Sequence, residues 1–210
     1  MALESFEKLP ANKREFILLT GMKEFSQKSY KDVSTDCITK MCGISKGILF
    51  HYFGSKKDFY FYCLEKALER LTAKTETVTD GNFYEIIFGS MNRKMSLCMQ
   101  YKDEMHMVNM ASQDASMEIA ERKTEILQRY MAIAQLESAK TLRRALDTLE
   151  IKDDDKKQVM IEGLHIYTNA VLNKYLLQYQ QTPDKFFENR DRIKEEMKTY
   201  LDMMLYGICK

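Results

Sequence analysis

The sequence predicts an all-α fold, and three observations carry that expectation. Its 210 residues hold only 8 Gly and 2 Pro, too few to turn the many strands of a sandwich or barrel. Its 15 Met join abundant Lys, Glu, Leu and Ala, side chains that lose little freedom in a helix. Apolar residues recur three and four apart along most of the chain. With 45% apolar and 30% charged residues, the balance is globular and argues against wholesale disorder.

The elements follow in order. After Pro10 and Asn12, Phe16, Ile17, Met22 and Phe25 stand at helical spacings, and Gly21 on that face lets a second helix approach closely. Lys28–Ser34 breaks the pattern. Ser34 then suits the N-cap of a short helix through Thr35, Ile38 and Met41. Cys42-Gly43-Ile44 reads as a tight turn with Gly43 at positive φ. Ser45 caps a second short helix anchored by Leu49 and Phe53 and stopped by Gly54. Ser55-Lys56-Lys57-Asp58 has the form of a capping box and opens a longer helix through Leu71. The polar stretch Thr72–Asn82 is the best domain boundary, and helical patterns follow near 83–101, 104–112, 115–149, 154–181 and 184–208. Asp153-Asp154-Asp155 separates one pair of these, and Thr182-Pro183-Asp184 the next.

Several function classes are excluded. No stretch approaches the roughly 20 apolar residues of a membrane span, and Glu4, Glu7 and Lys8 stand where a secretion signal would be apolar. Five cysteines (Cys37, Cys42, Cys63, Cys98, Cys209) are odd in number and form no CxxC pair, which fits reduced thiols in the cytoplasm. Glu162 and His165 lie one helical turn apart, but no third ligand follows at a readable spacing, so no metal is expected. No nucleophile elbow, phosphate-binding glycine loop or HExxH occurs, and neither an enzyme nor a cofactor is expected.

Charge is uneven along the chain. Ten basic against six acidic residues up to Lys57 leave that segment at +4, although the whole chain is at +1. There, two short helices joined by a glycine turn follow one longer helix, the arrangement of a helix-turn-helix. Lys46, Gly47, Ile48, His51 and Tyr52 would face the major groove while Leu49 and Phe53 point inward. Ser34 and Thr35 at one helix start, and Lys56 in the first turn of the next, suit phosphate.

The stretch from Phe25 to Phe59 resembles the DNA-binding segment of the TetR family of bacterial transcriptional regulators. The resemblance is carried by Phe25, Tyr30, Ile38, Gly43-Ile44-Ser45, Lys46-Gly47-Ile48-Leu49-Phe50, His51-Tyr52, Phe53 and Ser55-Lys56. It implies DNA contacts from Ser34, Thr35, Ser45, Lys46, Gly47, Ile48, Phe50, His51, Tyr52 and Lys56. Phe50 stands where the family usually has Tyr, so a phenolic bond to phosphate is lost. Ile48 replaces a common Thr or Asn and offers an apolar contact, while Asp36 adds a negative charge near the groove.

The resemblance further implies a three-helix DNA-binding domain over residues 1–55, a connecting helix over 56–74, and a helical effector-binding and dimerisation domain over 75–210. Its partners would be a near-palindromic double-stranded operator, a second copy of the chain and a small apolar or aromatic effector. Met91, Met95, Met99, Met110, Tyr130, Met131 and Tyr167 are the candidate pocket, although helical spacing makes plain core the more natural reading of any one of them. Met160, Leu164, Tyr167, Val171, Tyr175, Ile193, Met197, Leu201 and Leu205 are the candidate dimer seam, and packing inside one subunit would give the same stripe. Two alternatives stay open: a DNA-binding protein without effector, and a helical small-molecule binder or enzyme with a vestigial helix-turn-helix.

Overall fold

The computed structural model of the chain describes residues 2–73, 80–150, 154–179 and 181–206. Its helices are α1 (Ala2–Glu7), α2 (Ala11–Gln27), α3 (Thr35–Cys42), α4 (Lys46–Phe53), α5 (Lys56–Leu71) and α6 (Phe83–Gln100). There follow α7 (Lys102–Gln113), α8 (Ala120–Leu146), α9 (Asp154–Gln178), α10 (Pro183–Glu188) and α11 (Arg190–Tyr206). Tyr30–Asp32 forms a 3-10 turn, and no strand occurs among the described residues. Much of the expected Thr72–Asn82 boundary, part of the Asp153–Asp155 break, and Cys209 lie outside the described residues.

Three elements depart from expectation. Helix α1 forms over a stretch of six residues, too short for a helical apolar pattern of its own. The helix expected from residue 115 starts at Ala120, because the Asp114 carboxylate accepts the Ser116 N–H (2.8 Å) and holds a turn there. The segment 184–208 divides at Asn189, whose backbone N–H and side-chain amide both donate to the Lys185 carbonyl and close α10.

The chain packs as two compact units, Met1–Ala73 with Gln100–Met131, and Lys74–Met99 with Ala132–Lys210. The break after Ala73 falls within the boundary stretch expected over Thr72–Asn82, and Gln100–Met131, expected in the second domain, packs with the first unit because of α7. That helix lies along α2 and α5 and sends Met107 and Ala111 into the core formed by Ile17, Met22, Phe25, Ile38, Leu49 and Phe59. Gly21 permits the close crossing of α2 and α5. A Cβ there would stand 2.4 Å from Phe59 Cζ and 2.9 Å from Cys63 Sγ. Phe16, expected on the inner face of α2, is instead exposed.

The second unit has two apolar clusters. Phe83 and Ile86 of α6, Leu142 and Leu146 of α8, Leu164 of α9 and Leu201 of α11 form one. Val171, Tyr175 and Tyr179 of α9 with Ile193 of α11 form the other. Polar bonds fasten the same helices: Glu196 accepts from Lys174 Nζ (2.5 Å), from Tyr200 Oη (2.9 Å) and from Tyr175 Oη.

Of the candidate dimer seam, Leu164, Val171, Tyr175, Ile193 and Leu201 are buried within the chain, and Met160, Tyr167, Met197 and Leu205 are partly buried against the same clusters. Among the described side chains of α9 and α11, Val159, Ile166, Leu177, Met203, Met204 and Tyr206 are exposed and apolar.

Candidate nucleic-acid interface

Local chemistry builds the turn between α3 and α4. Gly43 takes φ +63°, a left-handed conformation that costs a side-chain-bearing residue, and Ile44 N–H bonds the Thr39 carbonyl at 3.0 Å. These two features close α3 with a Schellman-type cap. Ser45 Oγ then accepts the Ile48 N–H (3.2 Å) and starts α4. Ser55 Oγ likewise accepts the Asp58 N–H (3.0 Å) at the start of α5, and its hydroxyl donates to the Asp58 carboxylate at 2.6 Å. Ser34 precedes α3 as expected but makes no capping bond with its side chain.

The faces of α4 are sharply divided. Leu49 and Phe53 are buried, whereas Lys46, Gly47, Ile48 and His51 are exposed and Phe50 and Tyr52 are half-buried. A Cβ on Gly47 would meet nothing nearer than Ser45 Oγ at 3.8 Å. Packing within the chain therefore gives no reason for glycine at this position. A bulky apolar side chain, Ile48, also points outward beside it.

Charge is partly committed before any ligand arrives. Lys46 Nζ lies 3.1 Å from the Asp36 carboxylate of α3, with both side chains well exposed. Lys56 Nζ sits over the Tyr30 ring, 4.5 Å from its centroid, and donates to the Lys31 carbonyl at 3.4 Å. Burial lowers the affinity of that ammonium for its proton, against the opposing pull of Glu118, Asp32 and Asp114. Thr35, expected to meet phosphate, is only 7% exposed and belongs to the packed side of α3.

A polar latch holds the turn before α3. The Asp114 carboxylate accepts the Tyr30 N–H (2.5 Å), and Glu118 accepts the Tyr30 hydroxyl (3.0 Å). Burial works to raise the Asp114 carboxyl. The Ser116 hydroxyl, the N–H groups of Tyr30 and Ser116 and the Lys123 charge outweigh it and hold the carboxyl below its ordinary range. Sequence spacing gives no sign of these partners, which lie more than 80 residues apart.

The candidate pocket residues are drawn from both units. Met110, Tyr130 and Met131 belong to the first unit; Met91, Met95, Met99 and Tyr167 belong to the second. Met95 and Tyr130 are buried, Met99 and Met131 are exposed, and Met91 and Tyr167 pack on the Val171–Tyr175 cluster. Two clefts in the first unit, of about 450 and 410 Å³, are lined by none of the seven. Among the described residues, no three His, Cys, Asp or Glu side chains could share a metal, and Glu162 accepts from Gln158 Nε2 (3.0 Å). No described helix is long and apolar enough to cross a membrane.

A short helix anchored on its inner side, bare on its outer side and joined by a glycine turn to a preceding helix has the form of a helix-turn-helix. Residues 17–63 match the family described as "Bacterial regulatory proteins, tetR family". The chain is 28% identical over 82 residues to the HTH-type transcriptional repressor AcnR of Corynebacterium efficiens, a stretch covering 39% of this chain and 42% of that protein. Less than half of that relative's length is therefore matched. A TetR family transcriptional regulator from Chloroflexus aurantiacus has a similar fold, with a TM-score of 0.61 at 18% identity over 97% of this chain and 96% of that one. The family match thus spans residues 17–63, and over the rest of the chain the likeness is one of fold.

Proposed function

We propose that the protein is a homodimeric transcriptional repressor in the cytoplasm that grips a near-palindromic operator through α4 of each copy. The observation that carries this reading is the outer face of α4, where Lys46, Gly47, Ile48 and His51 are exposed to solvent. Ser45, Phe50 and Tyr52 flank that face, and Ser34 lies exposed ahead of α3 for phosphate. A second copy would dock on the exposed stripe of Val159, Ile166 and Leu177 with Met203, Met204 and Tyr206. Gly163, small and half-buried among them, lies 3.9 Å from Met204 Cε where its Cβ would be, so backbones could approach closely there. Two recognition helices so paired must match half-sites about 34 Å apart, one turn of the duplex.

Release by a small apolar or aromatic effector completes the reading. An effector acts only if it binds the two states unequally. The Asp114 and Glu118 bonds to Tyr30 offer a route by which a shift of α7 and the following turn would move the helix-turn-helix. The two clefts of the first unit are lined by none of the candidate pocket residues, which favours a second reading, a DNA-binding protein without an effector.

The test is fluorescence anisotropy with DNA flanking the protein's own gene across a salt series, using wild type and Lys46→Ala/Tyr52→Ala. Saturable, sequence-preferring binding that the double variant loses supports the repressor, and compounds that release the DNA separate the two readings. Absence of duplex binding even at low salt, where phosphate contacts are strongest, overturns both.

A further inference from the structure

We propose that Phe6 is a positioning residue for DNA recognition, making α1 an internal wedge that fixes the tilt of α4 and the placement of Tyr52. The inference rests on the DNA-contact reading of α4 given above.

Helix α1 has six residues, far too few to persist without tertiary contacts. It is held by one buried aromatic. Phe6 is 1% exposed, and its ring centroid lies 4.7 Å from that of Phe53, 5.6 Å from Tyr62 and 5.7 Å from Tyr52. Phe53 is the inner anchor of α4, and Tyr52 is the half-buried residue beside it at the outer edge. One ring thus touches both the part of α4 that packs and the part that faces DNA.

The wedge is tied from two other helices. Tyr62 of α5 donates its hydroxyl to Glu7 Oε1 at 2.9 Å. Arg14 of α2 donates from Nη1 to the Glu7 carbonyl (2.7 Å) and the Leu9 carbonyl (2.6 Å), and its Nε lies 3.7 Å from the Glu7 carboxylate. Helix α4 itself is eight residues long with only Leu49 and Phe53 buried, so two side chains leave its tilt weakly determined. Contact with α1 adds a third point of support. This helix lies outside residues 17–63, the stretch that matches the family.

Tilt affects the two kinds of DNA contact differently. Base edges are read by a few side chains in fixed positions, whereas phosphate contacts tolerate small displacements and supply affinity for any sequence. Loss of Phe6 should therefore lower preference for the operator while leaving non-specific binding in place.

The experiment uses the full chain as wild type, Phe6→Ala and Phe6→Leu, with an operator obtained by site selection from random duplex. Phe6→Ala is expected to weaken operator binding about tenfold, the order of one lost base contact, with affinity for random duplex at low salt unchanged. Phe6→Leu, which refills most of the volume, should recover most of the preference. In a Tyr52→Ala background the Phe6→Ala effect should shrink by the share Tyr52 carries but persist, because the tilt of α4 also places Lys46 and Ile48. Stoichiometric titration gives the active fraction, so misfolding would appear as equal loss on operator and random DNA, which overturns the positioning role. Amide hydrogen exchange supplies a readout independent of DNA: residues 46–53 should exchange faster in Phe6→Ala while α5 and α7 do not. Unchanged exchange there overturns the wedge alone. A wild-type protein with no preference among duplexes overturns the DNA reading, and the role of Phe6 with it.

Discussion

The Asp114 carboxylate accepts the backbone N–H of Tyr30 at 2.5 Å across 84 residues of chain, with Asp114 only 7% exposed. The bond joins the turn after α7 to the turn before α3, and the same carboxylate also shapes the start of α8 through Ser116. Asp114→Ala would leave a buried N–H unpaired, at a cost of about 1–3 kcal/mol, and Asp114→Asn should cost less because an acceptor remains. Urea unfolding midpoints of the two variants check this. The folded carboxyl is held below its ordinary range, so its contribution is complete above the unfolded pKa of 3.8 and is lost as pH falls through the depressed folded value. The Asp114→Ala penalty should therefore be the same at pH 7 and pH 6 and shrink in strong acid.

Gly21 and Gly47 answer to different partners. Gly21→Ala drives a methyl into Phe59 and Cys63 and should cost about 1–3 kcal/mol by overpacking. Gly47→Ala meets open space in a helix and should raise stability by about 0.5–1 kcal/mol while weakening operator binding. Thermal melts read beside anisotropy separate the two; equal operator affinity for Gly47→Ala would mean that no DNA backbone comes close at this position.

On the DNA-contact reading proposed above, Asp36 would compete with phosphate for Lys46. Their exposed pair, 3.1 Å apart, contributes little to folding, so Asp36→Asn should shift stability by less than about 0.5 kcal/mol. It should strengthen binding to all duplexes by freeing Lys46. Lys46→Ala should reduce the slope of log K against log salt by about one.

Leu164 and Ile166 are two residues apart on α9 and are 1% and 70% exposed. Leu164→Ala should cost about 2–5 kcal/mol in unfolding experiments as a core cavity. On the homodimer proposed above, Ile166→Lys should fold normally and shift the protein from dimer to monomer in sedimentation equilibrium. An Ile166→Lys protein that remains a dimer would remove this stripe from the interface.

Glu196 gathers Lys174, Tyr175 and Tyr200, and these bonds, Lys174 foremost, bring its carboxyl down to about 2. The α9–α11 contact it provides is fully present above the unfolded pKa of 4.5 and is lost as pH falls toward 2. Glu196→Gln should flatten the dependence of the urea midpoint on pH between those limits, and an unaltered slope would show that the cluster does not hold these helices together.

What the sequence determined by itself is local. Gly43, Ser45, Gly54 and Ser55 fix where α3 to α5 begin and end, because caps and left-handed turns are settled by residues within a few positions of each other. Leu49 and Phe53 were legible as the inner face of α4 for the same reason, one helical turn having only one way to bury both. Tertiary structure decided what local pattern leaves open. Helix α1 exists because Phe6 finds three aromatic rings from two other helices, a partnership without periodicity. Asp114 finds Tyr30 only once α7 lies against α2 and α5. Helix α9 carries apolar residues around most of its circumference, so either Leu164 and Tyr175 or Val159 and Ile166 could have formed the core. The choice fell to the first pair because α6, α8 and α11 close on that side.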